Sequence, residues 1–175
     1  MINIGVIGYG YWGPNLVRNF AELSRACVHT VADLDPKKLE LVNRRFPNVK
    51  TTTDFQEMMR DPEIHAIAIA TPVSTHFELG IAALKSGKHV WLEKPMTETS
   101  LQARQLVEQA EKRKLVLHVD HTFIYTGAVK KMKELVKSDD LGKILYYDST
   151  RVNLGLFQRD VSVISDLAVH DFSIL

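Results

Sequence analysis

Residues 4 to 13 read Ile-Gly-Val-Ile-Gly-Tyr-Gly-Tyr-Trp-Gly, and this stretch decides the fold. An apolar run enters Gly8-x-Gly10-x-x-Gly13 and passes directly into helix-forming sequence, with a carboxylate, Asp33, twenty residues beyond Gly13. A buried strand, a glycine turn, a helix and a later acidic residue form the context in which this spacing marks a dinucleotide-binding turn. Gly8 allows the tight strand-to-helix turn, Gly10 lets the backbone approach a pyrophosphate, and Gly13 permits close packing of helix on strand. The free N–H groups and positive dipole end of a helix opening near Tyr11 to Asn15 would face the phosphates. Pro14 suits that first turn, where its missing N–H has no partner inside the helix. A plain glycine turn is the simpler alternative, and the surrounding strand, helix and carboxylate argue against it.

Composition narrows the class. The chain has 175 residues, enough for one good core with a remainder past a nucleotide-binding domain of about 120 residues. Its net charge is +1, from 22 basic and 21 acidic residues, which gives no electrostatic footprint for nucleic acid or an anionic membrane. Lys37-Lys38, Arg44-Arg45, Lys112 to Lys114 and Lys130-Lys131 fall on expected helices and read as solvated faces. The single cysteine, Cys27, lies in an apolar run and reads as a buried small hydrophobe. No signal peptide or membrane-length apolar run is visible, so the expectation is a soluble cytoplasmic protein.

Short β-branched runs alternate with helical periods, which predicts an α/β fold with a doubly wound parallel sheet. Strands are expected at 2–8, 26–33, 49–52, 64–70, 89–93 and 115–120. Helical stripes lie between them at Leu39, Val42 and Phe46, at Phe77, Ile81 and Leu84, and at Ala103, Leu106, Val107 and Ala110. Gly87 reads as a left-handed cap after the second, and Thr99 or Ser100 as the start of the third. The expected domains are 1–121, nucleotide-binding, and 122–175, the incomplete start of an α+β substrate or oligomerisation domain. In the latter a helix carries Val129, Met132, Leu135 and Val136, an alternating strand runs from Ile144 to Val152, an irregular stretch follows, and a last helical pattern begins near Val163.

Ligands of open α/β sheets lie across the carboxyl ends of the strands, so residues just after strands are the candidates. These are Gly8 to Gly13, Asp33, Thr71-Pro72 and Glu93-Lys94-Pro95. Asp33 can accept from both hydroxyls of an adenosine ribose, and its charge would repel a 2′-phosphate, which favours NAD over NADP. Asp35 competes for that role but precedes Pro36 and is better placed to cap the helix of Leu39. Lys94, ending a buried strand, is partly desolvated and can serve as donor or proton relay; Pro95 restrains it to an extended conformation. A surface lysine in a turn explains the same spacing equally well. Asp166-x-x-x-His170 sets a carboxylate and an imidazole one helical turn apart, with His170 a candidate general base. A plain surface pair is the simpler reading of those two taken alone. No metal site is expected, because a third ligand is missing near this pair and His118 and His121 lack matching spacing.

Taken together, Gly8 to Gly13, Ala70-Thr71-Pro72 with His76, Glu93-Lys94-Pro95, and Asp166 with His170 resemble the Gfo/Idh/MocA family across the whole chain. The resemblance implies a Rossmann fold, NAD(P)-linked oxidoreduction at a carbon of a sugar, cyclitol or related compound, and a nicotinamide near Lys94 and His76. Gly8 to Asn15 and Asp166 to Asp171 look like its sugar-nucleotide dehydrogenase and ketoreductase branch. The implied cofactor set is Gly8, Gly10, Tyr11, Trp12, Gly13, Asp33, Thr71, Pro72, His76, Glu93 and Lys94, and the implied catalytic set is Lys94, Asp166 and His170. Asp120 stands where the family usually has Gly, Thr126-Gly127 where it has Asn-Pro, and Val169 where it often has Pro. Family members continue into a broad antiparallel sheet that commonly forms a dimer, so the chain reads as truncated and a homo-oligomer is expected. A non-catalytic dinucleotide-binding or scaffolding module is the alternative from another class.

Overall fold

The computed structural model describes residues 1–138, 140–152 and 161–175, which fall into two units, Met1–Val119 and Asp120–Leu175. In the first, β1 (Ile2–Ile7), β2 (Ala26–Ala32), β3 (Lys50–Thr52), β4 (Ala66–Ile69), β5 (His89–Leu92) and β6 (Leu117–Val119) form one sheet in the order β3-β2-β1-β4-β5-β6. Every pairing is parallel. Strand order reverses between β1 and β4, which creates a crevice at their carboxyl ends.

The alternation of side chains explains why helices cover both faces. Ile4 and Val6 of β1 and Ala68 of β4 join Leu16, Val17 and Phe20 of α1 (Gly13–Ala21) and Leu39 and Val42 of α2 (Pro36–Arg45). Ile7, Ile67 and Ile69 point the other way, into Met58 and Met59 of α3 (Phe55–Arg60), Leu79, Ala83 and Leu84 of α4 (His76–Lys85), and Leu106 and Ala110 of α5 (Ser100–Arg113). Each fully buried Ile, Leu or Val contributes about 1.5–3 kcal/mol, so the two layers hold the strand ends rigidly in register.

The helices begin and end where their sequences dictate. Asp35 accepts from the Lys37 N–H at 3.0 Å and caps α2. Thr99 and Gln102 form a reciprocal capping box on α5, and Gly87 follows α4 at φ +78°. All six expected strands are present. The short helix α3 went unforeseen. Cys27 is half-buried rather than buried, with its Sγ 3.1 Å from Asn3 Oδ1.

The second unit has a 3-10 turn at Thr122–Tyr125, α6 (Gly127–Lys137), a π-helical turn at Ile164–Ala168 and α7 (Val169–Ile174). The strand expected over Ile144–Val152 does not form: these residues join no ladder among the described residues. Alternation supplies a face, but a strand also needs a neighbour's N–H and C=O groups. The irregular stretch expected after Val152 lies mostly outside the described residues. No helix among the described residues is long and apolar enough to cross a membrane.

Candidate functional site

A cleft of about 640 Å³ opens at the carboxyl ends of β1, β2 and β4. Gly8 and Gly10 lie on one side, Asp33 and Lys38 at the end of β2, and Thr71 and Pro72 after β4. Gly8 has φ +94°, and a Cβ there would meet the Ala70 carbonyl oxygen at 2.7 Å, so only glycine passes between the two strand ends. Around Gly10 a Cβ would meet nothing within 4 Å. That open space, in the turn between β1 and α1, fits a pyrophosphate. Gly13 is buried at the start of α1, while Tyr11 and Trp12 are exposed beside the turn and stack on each other, ring centroids 6.3 Å apart.

Asp33 is fixed before any ligand arrives. Its Oδ2 accepts from the Tyr9 N–H at 2.7 Å and its Oδ1 from the Asp35 N–H at 2.9 Å, and its side chain is 7% exposed. A carboxylate accepts about four hydrogen bonds, so beside these two and the Lys38 contact it keeps capacity for a ribose hydroxyl. Lys38 Nζ lies 3.4 Å from the same Oδ2. The expectation that Lys38 belongs to a solvated face is therefore corrected: it lines the cleft beside Asp33. The two lie five positions apart in sequence, and the turn through the Asp35 cap brings them together. Asp35 itself caps α2 while also lining the cleft.

His76 supports this region from within. It is 1% exposed, with Nε2 2.9 Å from the Thr71 carbonyl oxygen and Nδ1 3.0 Å from that of Pro95. A neutral imidazole donates to one of these acceptors and an imidazolium to both. Either way His76 ties the loop after β4 to the loop after β5. Glu93 continues β5, its N–H donating to the Ile69 carbonyl at 3.0 Å, and Lys94 follows it, half-buried. The Lys94–Pro95 bond is cis.

In the second unit Asp166 sits in the π-helical turn and His170 in α7, where His170 is 8% exposed. A π turn of this kind frequently marks a functional position. The His170 ring meets the ring of Phe123 edge to face, centroids 4.7 Å apart. Next to it Asp171 accepts from Arg151 Nε at 2.9 Å, from Arg151 Nη2 at 2.9 Å and from Ser149 Oγ at 2.8 Å. Sequence reasoning missed Phe123, Arg151 and Asp171. Asp171 ends the Asp166 to Asp171 string, and alternation sets Ser149 and Arg151 two residues apart, but neither signal pairs them.

The Arg151 hydrogen bonds, then that of Ser149, hold the Asp171 carboxyl below its ordinary range. Because the unfolded chain binds that proton more readily, the resulting stabilisation of α7 is complete above the ordinary carboxylate range. It disappears as pH falls through the lowered value. Protection of the amides across 169–174, relative to their intrinsic exchange rates, is expected to fall in acid, and Asp171→Asn to flatten that dependence; an unchanged protection profile in the variant would refute the assignment.

One group among the described residues has the donor types for a metal: His29, Asp61 and Glu63, with candidate ligand atoms within 4.8 Å of one another. His29 Nδ1 is 3.8 Å from Asp61 Oδ2, and Nε2 is 3.5 Å from Glu63 Oε2. The buried Lys88 ammonium donates to the carbonyls of Asp61 and Ile64, which places positive charge on the same loop and opposes a further cation. These side chains are read as a polar cluster, with His29 Nδ1 also 2.9 Å from Thr30 Oγ1.

Known proteins resemble the chain throughout its length. A myo-inositol 2-dehydrogenase of Thermotoga maritima is 27% identical over 98% of this chain and 53% of its own length. The NAD(+)-dependent scyllo-inositol 2-dehydrogenase of Bacillus subtilis is 27% identical over 99% and 51%. The crystal structure of GenD2 from gentamicin A biosynthesis, in complex with NAD, superimposes with a TM-score of 0.76 at 26% identity, covering 79% of this chain and 40% of that one. The chain thus spans about half the length of the curated relatives it matches. With residues 2–121 matching the Gfo/Idh/MocA oxidoreductase family, NAD-binding Rossmann fold, on top of the strand order and glycine turn described above, the chain belongs to that family.

Proposed function

We propose that this chain supplies the NAD-binding domain, and part of the catalytic machinery, of a dehydrogenase acting on a hydroxyl-bearing carbon of a sugar or cyclitol. The observation that carries the reading is the Asp33 carboxylate, oriented by two backbone N–H groups at the end of the cleft opened by Gly8 and Gly10. Inositol dehydrogenases among the relatives support a polyol substrate. A sugar nucleotide is the finer form of the proposal, resting on Gly8 to Asn15 and Asp166 to Asp171.

When bound, nicotinamide supplies the hydride acceptor or donor. The protein's residues handle the proton: His170, oriented by Asp166 and assisted by Lys94, removes it from the reacting hydroxyl. In the reverse direction the same groups act as acids. Thr71, Pro72, Glu93 and His76 shape and brace the nicotinamide end, and Tyr11 and Trp12 flank the phosphates.

NAD is expected to bind more tightly than NADP, because a 2′-phosphate would meet the Asp33 carboxylate. Asp33→Ala removes charged acceptors for ribose and should weaken NAD about tenfold or more while narrowing the preference. Lys38→Ala should widen it, since Lys38 is the basic side chain at that end of the cleft. Calorimetry with both cofactors tests these expectations; equal or tighter binding of NADP by the parent protein would overturn the role of Asp33.

A further inference from the structure

The wall behind His170 is itself anchored. Phe123, which the imidazole meets at 4.7 Å, also lies beneath Arg151, whose guanidinium carbon is 5.0 Å from the ring centroid. Arg151 is held in turn by the two-pronged bond to Asp171, the residue next to His170 in α7. A planar guanidinium suits both partners, because it matches a carboxylate fork edge-on and stacks on an aromatic face. The arrangement closes a ring of contacts from His170 through Phe123 and Arg151 to Asp171 and back along the chain. Arg151 and Asp171 are only 25% and 17% exposed, so solvent screens the pair less than at an open surface.

We propose that Arg151 is a positioning residue for His170: it fixes the Phe123 wall against which the imidazole rests and neutralises the neighbouring Asp171 carboxylate. This rests on the reading of His170 as the base. A bare carboxylate near an imidazole stabilises the imidazolium and raises its proton affinity, which reduces the fraction of His170 free to accept the substrate's proton. The other titratable groups on the elements packed around His170 are Asp166 in the π turn, His121 and Tyr125 at the ends of the 3-10 turn, and Tyr147, which interacts with Arg151.

The test is an NMR titration of the His170 ring in the 175-residue chain, with the Phe123–His170 nuclear Overhauser contacts followed in parallel. Arg151→Met is expected to raise the His170 protonation constant about threefold or more and to weaken those contacts. Asp171→Asn should lower the constant by a similar factor, and the double variant should return to within about twofold of the parent, because charge is removed in balance. Arg151→Lys should keep the constant near the parent value yet loosen the contacts, since it retains charge but loses the fork. A constant within twofold of the parent in Arg151→Met, with contacts intact, overturns the proposal. Should that variant unfold the second unit, Asp171→Asn decides alone, and an unshifted constant there is equally fatal. In a form that turns over, the acid limb of kcat/KM should move to higher pH in Arg151→Met. The titration needs no turnover, so its failure overturns the positioning role, whereas normal kcat in His170→Ala would overturn the catalytic reading instead.

Discussion

Alanine at Gly10 is expected to leave the fold intact and to reduce NAD affinity about a hundredfold, whereas alanine at Gly8 or Gly13 should damage the fold itself. The difference follows from what each Cβ would touch. At Gly10 it meets nothing within 4 Å, so the substituted chain keeps its backbone and its stability within about 0.5 kcal/mol. The methyl then stands in the space through which a pyrophosphate must approach the turn, and the N–H groups lose their close contact. At Gly8 alanine must accept φ +94° and a Cβ 2.7 Å from the Ala70 carbonyl oxygen. Strain of about 1–3 kcal/mol from the dihedral adds to a similar overpacking cost. At Gly13 the Cβ would overlap the Gly8 carbonyl oxygen, so α1 cannot start against β1 without moving the turn. Thermal unfolding paired with calorimetry on all three variants separates the effects. Parent-like NAD affinity in Gly10→Ala would mean that this turn does not hold the pyrophosphate.

The parts of this structure legible in the sequence are those fixed by neighbours in the chain. Strands buried on both faces require continuous apolar runs, and β1, β4 and β5 show them. Caps require particular residues at particular offsets, which is why Asp35, Gly87 and Thr99 could be placed in advance. The helix α3 escaped because it has six residues, too few for a repeated stripe, although Asp54 accepting from the Gln56 N–H is a local start signal that was available. Partnerships across the fold left no such trace. Lys88 looks like a turn lysine after Gly87, yet it is buried and satisfied by carbonyls more than twenty residues earlier. Lys38 repeats as a helix-surface residue and is nonetheless drawn to Asp33. Ile144–Val152 shows the converse: its period is that of a strand, but period alone recruits no partner. Among the candidate site residues, Gly8, Gly10, Asp33, Thr71 and Pro72 share one cleft because each directly follows a parallel strand or its turn. Phe123, Arg151 and Asp171 meet only through tertiary packing and could not be read from spacing.

In a form of the protein that turns over, His170→Ala and Lys94→Ala are each expected to lower kcat by about 10² or more while cofactor affinity stays within a few-fold. Lys94 stands two residues past Leu92, which has no exposed surface, and the intervening Glu93 is pinned by its N–H to Ile69. Its backbone is therefore held at the carboxyl end of the sheet, where a donor can act on a developing alkoxide without first being ordered. His170 is likewise held, with its ring against Phe123 in a buried setting. On the roles proposed for them, removing either group takes away an interaction that strengthens as the proton moves, so the loss should fall on kcat and kcat/KM together rather than on substrate binding alone. Asp166→Asn should cost less, because it alters how His170 is oriented and leaves the base in place. Lys94→Arg separates charge from geometry: it preserves the cation but replaces a compact ammonium with a wider planar group, and recovery of only part of the lost rate would locate the requirement in shape as well as charge. Steady-state kinetics with a polyol substrate, with cofactor binding measured separately by fluorescence, provide the check. Near-normal kcat in both alanine variants would return Lys94 to a turn at the sheet's end and His170 to the packing of α7, and the proton transfer would have to be assigned to other side chains.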